Sequence, residues 1–335
     1  MNTIKILLIL LAASFISCGN KGGTNDGSDA PISAGQTARP VDSTPEFNVD
    51  SAYAYVARQV EFGPRVPNTE AHKACGDYLI SQLKHFGAEL HIQEMTLTAY
   101  NGDRLQSRNI IGSYNKDNSK RILLFAHWDT RPYADRDKDT SKHNIPIDGA
   151  DDGASGVGVL LEMARQFQLK DPGVGIDIIF FDAEDYGPPV TLRNAPAGDW
   201  WALGSQFWAK KPHVPNYKAE YGILLDMVGA KNATFFKEGF SVRYASRIVE
   251  KVWSMARDLG YGKFFINANG ASITDDHEFV IRGRGIPCID IINLSPDTSH
   301  GFGAYWHTHA DNMDNIDRET LKAVGQTVLE VIYKN

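Results

Sequence analysis

"GIDIIFFDAED" (175–185) places a nearly unbroken apolar run directly before three acids, Asp182, Glu184 and Asp185. A half-exposed strand alternates apolar and polar residues. A run that does not alternate suits a strand covered on both faces, as at the centre of a parallel sheet. The same texture recurs in "RILLFAHWD" (121–129), "YGILLDMVG" (221–229) and "IPCIDIINL" (286–294). Around these runs, helical periodicity appears at 50–61, 69–86, 154–168, 242–259 and 318–333. Strands alternating with helices predict an α/β sandwich with a largely parallel centre. No internal repeat is visible.

The polar residues fall where such a sheet would place a site. The buried runs end in His127 and Asp129, in Glu184 and Asp185, and in Asp226. Functional groups in open α/β sheets gather outside the carboxyl ends of the strands. "GADDGASG" (149–156) adds Asp151 and Asp152 on a glycine-rich loop that opens a helix. One of the two is expected to cap that helix, leaving the other free to bind. "FGAYWHTHADNMDNID" (302–317) supplies His307 and His309, with Trp306 just before the first. Carboxylates crowded together without a cation repel one another and rise in pKa. Histidine and carboxylate ligands around an open position describe a catalytic zinc site, so a metal accounts for the collection.

The composition is that of a globular enzyme rather than a nucleic-acid binder. The chain has 335 residues, 42% hydrophobic and 22% charged, with a net charge of −7 and no basic patch. "MNTIKILLILLAASFISC" (1–18) reads as a secretory leader, because its apolar run is too short to span a bilayer. Cys18 after a small residue resembles the lipoprotein box of bacteria. The expectation is an exported, periplasmic lipoprotein anchored to a membrane through a lipid on Cys18; plain secretion is the simpler alternative. Residues 19–46 are rich in Gly, Ser, Asn, Thr, Pro and Asp and read as a flexible tether. A single catalytic domain is expected over 47–335. Cys75 and Cys288 are too far apart in sequence to argue for a disulfide, and Cys288 lies in a strand-like apolar run that suits burial.

Taken in order, "HWD", "GADDGASG", "FFDAEDYG", "LLDMVG", "DDHEF" and "WHTHADNMDNID" resemble the M28 zinc peptidase family, and more narrowly its glutaminyl cyclase branch. The resemblance covers roughly residues 50–335. It implies a three-layer sandwich with a mixed, mostly parallel sheet flanked by helices. It also implies one zinc ion per chain, held by Asp152, Asp185 and His307. Glu184 matches the catalytic acid/base, with Asp226 and Asp275 matching two acids beside it. Many animal members have Glu where this chain has Asp185, a departure that shortens the ligand arm. His309 then becomes a neighbouring polar group. The implied substrates are peptides and proteins with N-terminal Gln, cyclised to pyroglutamate with loss of ammonia.

The same framework serves two-zinc aminopeptidases, in which His127 and Asp226 match the ligands of a second metal. Two features favour the cyclase. Trp306, with Phe302 four residues earlier, matches aromatic walls of the cyclase pocket; a core aromatic is the plain alternative. The paired acids of "DDHEF" (275–279) let Asp275 hydrogen-bond Asp226 and hold it from a second metal. For Asp276 and His277, helix capping and packing weigh equally with a functional role. The long loop "YGPPVTLRNAPAGDWW" (186–201) is expected to bring Trp201 or Trp200 to the pocket rim. The loop 131–149 is expected to form another wall, its charges otherwise those of a solvated loop. A catalytically dead binding module would lack a ligand, and none is missing.

Overall fold

The computed structural model describes residues 43–335. The leader 1–18, its Cys18 and the tether up to residue 42 lie outside them. Ser43 opens the compact unit. Thr44 Oγ1 donates to Glu330, and Gln326 and Gln166 donate to the carbonyls of Pro45 and Glu46. Phe47 is buried, and its N–H donates to Gln326. Residues 43–46, read from sequence as the end of the tether, are thus fastened to the domain.

The central sheet has six strands. They are β1 (Glu89–Thr98), β2 (Arg104–Tyr114), β3 (Arg121–His127), β4 (Gly175–Phe181), β5 (Tyr221–Asp226) and β8 (Cys288–Ile292), in the order β1-β2-β4-β3-β5-β8. The pairs β4/β3, β3/β5 and β5/β8 are parallel, whereas β1/β2 and β2/β4 are antiparallel. A small second sheet pairs β6 (Phe235–Lys237) with β7 (Phe265–Asn269).

Both faces of the central strands are buried. Ile122, Leu124, Ile176, Ile178, Ile223 and Leu225 pack into one core with α1 (Val49–Glu61), α2 (Glu70–His85), α3 (Ala154–Leu169), α5 (Gly239–Asp258) and α7 (Arg318–Tyr333). The alternate residues Leu123, Phe125, Ile179, Phe181 and Leu224 pack into the other, with Trp208 of α4 (Leu203–Lys210) and Val280 and Ile281 of α6 (Asp276–Arg284). Period-two alternation is present, but both phases are apolar, which is why the runs read as unbroken.

The chain passes from β3 to β4 on one side, then returns to β5 on the other side of β3. This reversal opens a crevice at the carboxyl ends of β3, β4 and β5. The edge hairpin β1–β2 and the helices α4 and α6 were not singled out from sequence. The hairpin's outer strand is half exposed and carries many polar residues. Cys75 and Cys288 are buried free thiols. Among the described residues, no helix is long and apolar enough to cross a membrane.

Candidate active site

Each predicted ligand leaves the end of a buried strand or an adjoining loop. Asp152 follows β3 on the loop into α3, Asp185 follows β4, and His307 lies on the loop before α7. All three are buried, and their ligand atoms lie within 4.8 Å of one another. His307 Nε2 is 3.4 Å from Asp185 Oδ1 and 3.7 Å from Asp152 Oδ2. Asp185 Oδ2 is buried and has no hydrogen-bond partner. These separations exceed hydrogen bonds. The Asp185 separation matches donor atoms arranged around a common ion, which sit roughly 3.3–3.6 Å apart when each is about 2.0–2.2 Å from a tetrahedral metal, and the Asp152 separation is slightly wider. The residues fit zinc.

A second group of possible ligands, His127, Asp152 and Asp226, shares Asp152. Its geometry differs. His127 Nε2 stands 3.0 Å from Asp152 Oδ1 and 3.2 Å from Asp226 Oδ1, which is hydrogen-bond spacing. Burial alone would lower the His127 pKa, but contacts with Asp129, Asp152 and Asp226 outweigh it and raise it well above the usual range.

Buried carboxylates brace the ligand loops. Asp129 accepts from the consecutive N–H groups of Glu184 and Asp185 at 3.0 and 3.2 Å. Asp311 does the same for Asp151 and Asp152 at 2.8 and 3.1 Å. Asp135 lies 3.5 Å from His307 Nδ1 and accepts two bonds from Arg131. Burial would raise the Asp135 carboxyl, yet Arg131 and His307 hold it well below the usual range. A carboxylate behind a ligating histidine fixes the ring's tautomer and orientation. The loop 131–149 therefore contributes a buried brace at Arg131 and Asp135 rather than a solvated wall.

Other expectations change in detail. Neither aspartate of 151–152 caps α3: the N-cap is Gly153, without a side-chain bond. Asp151 instead accepts from Gly229 N–H and Tyr305 Oη–H. Asp275 caps α6 through Asp276 N–H, and no hydrogen bond joins it to Asp226 among the described residues. Asp226 is held by His127 instead. His309 points away from the ligands to Asp137, at 3.0 Å.

Glu184, Asp226 and Asp275 nevertheless converge on one cavity of about 280 Å³, together with all three ligands. Burial first, then the charge of Asp275, pushes the Glu184 carboxyl well above its usual range. Burial and Asp226 raise Asp275 to about 7. Three backbones here are left-handed: Ala183, Met227 and His307, with φ of 54°, 48° and 57°. Such conformations cost a non-glycine residue free energy and cluster at functional sites. The first two flank Glu184 and Asp226, and the third belongs to a ligand.

The wall is aromatic. Trp306 stacks on His307 at 3.6 Å between centroids, and Phe302 packs on Trp306 at 4.5 Å. Trp201 lies nearly parallel to His307 at 6.2 Å and lines the cavity, with Arg131 over its ring. Trp200 instead donates to Pro196 O. Trp306 is half-buried, which a core tryptophan would not be.

A family model for peptidase family M28 matches residues 109–332. The chain belongs to peptidase family M28. Within it, the chain is 65% identical to the glutaminyl cyclase of Tannerella forsythia, whose crystal structure covers 87% of this chain and is itself covered completely, with a TM-score of 0.85. The glutaminyl cyclase of Bacteroides thetaiotaomicron, solved with N-acetylhistamine bound, is 56% identical; the match covers 88% of this chain and 100% of that one, with a TM-score of 0.86. A Parabacteroides distasonis structure described as a zinc-dependent exopeptidase is 70% identical, over 88% of this chain and 100% of that one, also with a TM-score of 0.86. This M28 chain is thus similar in fold and sequence to structures described as glutaminyl cyclases and to one described as a zinc-dependent exopeptidase.

Proposed function

We propose that this M28 chain is a glutaminyl-peptide cyclotransferase. It converts the N-terminal glutamine of peptides and proteins to pyroglutamate and releases ammonia. The observation that carries this reading is the three-ring wall of Trp201, Phe302 and Trp306 closed around the His307 ligand. A slot of that shape suits a flat amide side chain. The direct His127–Asp152–Asp226 contacts support one zinc at the active centre rather than the two of an aminopeptidase.

Asp152, Asp185 and His307 would hold the zinc, which when bound supplies a Lewis acid for the side-chain amide oxygen. The protein's own groups do the rest. The aromatic wall holds the amide plane and keeps water from it. The α-amine attacks the side-chain amide carbon, a C–N bond forms, and the bond to the leaving nitrogen breaks. Glu184 takes the proton from the amine and returns it to that nitrogen. No water is consumed. Its raised pKa, caused by burial and Asp275, brings the acid toward the operating pH, where proton transfer both ways is efficient.

The test is ammonia release from a Gln-initiated peptide, with zinc measured on the same sample. Replacing Glu184 with Gln keeps its size and should leave zinc content unchanged while turnover falls roughly 10²–10⁴-fold. Release of free amino acids in place of ammonia would move the assignment to an aminopeptidase. Export and anchoring through lipidated Cys18 belong to the same proposal, supported by the pattern of residues 1–18. Cys18→Ser should shift the protein from the membrane to the soluble fraction of cells, and an unchanged distribution would remove the anchor.

A further inference from the structure

Behind Asp275 of the pocket wall lie buried polar side chains that the reaction does not use: Glu238, His277 and Asp290. Glu238 accepts five bonds, from Phe240 N–H, Ile273 N–H, Ser241 N–H, Ser241 Oγ–H and His277 Nε2, all within 2.7–3.1 Å. Burial would raise its carboxyl, but the bond to His277 and the other donors bring it down to about 2. With four other donors on its carboxyl, Glu238 is placed as the acceptor of the bond to His277 Nε2. The other ring nitrogen, Nδ1, is buried without a hydrogen-bond partner. It faces Asp290 Oδ2 across 3.8 Å. Both Asp290 oxygens and Asp275 Oδ2 are likewise buried and unpartnered. Asp275, His277 and Asp290 offer ligand atoms that all lie within 4.8 Å of one another.

The spacing discriminates between explanations. An imidazolium bonded to Asp290 would stand roughly 2.7–2.9 Å from it. The observed gap of 3.8 Å is wider than that and close to the 3.7 Å between His307 and Asp152. Each of the two histidines has a carboxylate on the side of one nitrogen and two carboxylates before the other: Glu238 is hydrogen-bonded to His277 at 3.1 Å, and Asp135 lies 3.5 Å from His307. Carboxylate-backed histidine is the usual support of a metal ligand.

We propose that Asp275, His277 Nδ1 and Asp290 form a second, fully buried site for a divalent metal of the zinc class, oriented by Glu238. The donor set, one imidazole nitrogen and carboxylate oxygens, suits zinc. An ion there would neutralise acids that otherwise lie buried without partners. It would also fix Asp275, whose carboxyl forms part of the wall beside Glu184. This site is separate from the active-centre metal, so the chain would carry two ions in all.

The experiment counts zinc by mass spectrometry after the full chain is saturated with Zn²⁺ alone and desalted. Wild type should hold two ions per chain, and His307→Ala and Asp290→Leu one each. The apolar replacement adds a second readout. Where a buried carboxylate merely lacks a partner, replacing it with a hydrocarbon is neutral or stabilising; where it holds a metal, the melting temperature falls with the ion. If Asp290→Leu fails to fold, His277→Gln keeps a donor to Glu238 and should likewise hold one ion. One zinc in wild type and none in His307→Ala would overturn the site. Two zincs that persist in Asp290→Leu but fall to one in His127→Gln would overturn it too. That result would place the second ion on His127, Asp152 and Asp226, and so would also count against the single-metal active centre.

Discussion

Trp306 touches the ring of a metal ligand on one side and Phe302 on the other, yet remains partly open to the cavity. On the proposed function its contribution is positioning: it would hold the amide carbon near the amine that must attack. Positioning can lower a barrier by several kcal/mol, up to roughly 7–11. Trp306→Ala should therefore leave a folded, zinc-loaded protein whose turnover falls by two orders of magnitude or more. The checks are melting temperature, zinc content and ammonia release on one preparation. A truncated core tryptophan would instead cost about 3–5 kcal/mol of stability, and a folded variant of ordinary activity would remove the wall from the mechanism. Most residues at this scale were legible in the sequence. The ligands, Glu184 and the aromatics stand at strand ends or beside a ligand histidine, and polar residues in such places have few other uses. The choice between Trp201 and Trp200 was not legible, because adjacent loop positions share the same context and only the backbone path separates them.

At the scale of elements, the ligand loops are set by buried acids that accept consecutive backbone N–H groups. Asp311, on the loop before α7, fixes the loop that carries Asp152. Removing such support behind a metal ligand typically costs 10–100-fold in affinity or activity. Asp311→Asn keeps the shape but offers only one good acceptor for the two N–H groups. Zinc affinity, measured by competition with a chelator, should fall roughly 10–100-fold. An unchanged affinity would show that the loop holds itself. These braces were invisible beforehand. Asp311 and Asp135 sit in stretches with the charge pattern of solvated loops, and sequence does not say which acid turns inward. The hairpin β1–β2 was missed for a related reason. Its outer strand faces solvent on much of its length, so its residues mix polar and apolar without the continuous run that marks the central strands.

Across the whole molecule, the parallel strands have a reactive end and a structural end. At the structural end, the His213 side chain is 4% exposed and its Nδ1 accepts from Trp208 Nε1–H at 3.1 Å, so the ring is neutral. Burial, with help from His91 and Arg121, lowers its pKa to about 4. The unfolded chain binds a proton near pH 6.5, whereas the fold refuses it until about pH 4. Between those values the unfolded state holds more protons, so stability falls as the pH falls through this window, by on the order of 1–3 kcal/mol from this group. Denaturant unfolding at pH 7 and at pH 4.5 should show a smaller loss in His213→Gln than in wild type. Equal losses would mean that the histidine is not held neutral.

The same structural end receives Ser43, where the described residues begin. Lys170, just past the end of α3, donates to Ser43 O, and Thr44 bonds Glu330 near the end of α7. Asp152 stands at the opposite end of α3, whose 16 residues span about 24 Å at 1.5 Å per residue. Ser43 therefore lies at the end of the domain away from the cavity, and a polypeptide that offers its first residue to Glu184 meets the domain at the opposite end.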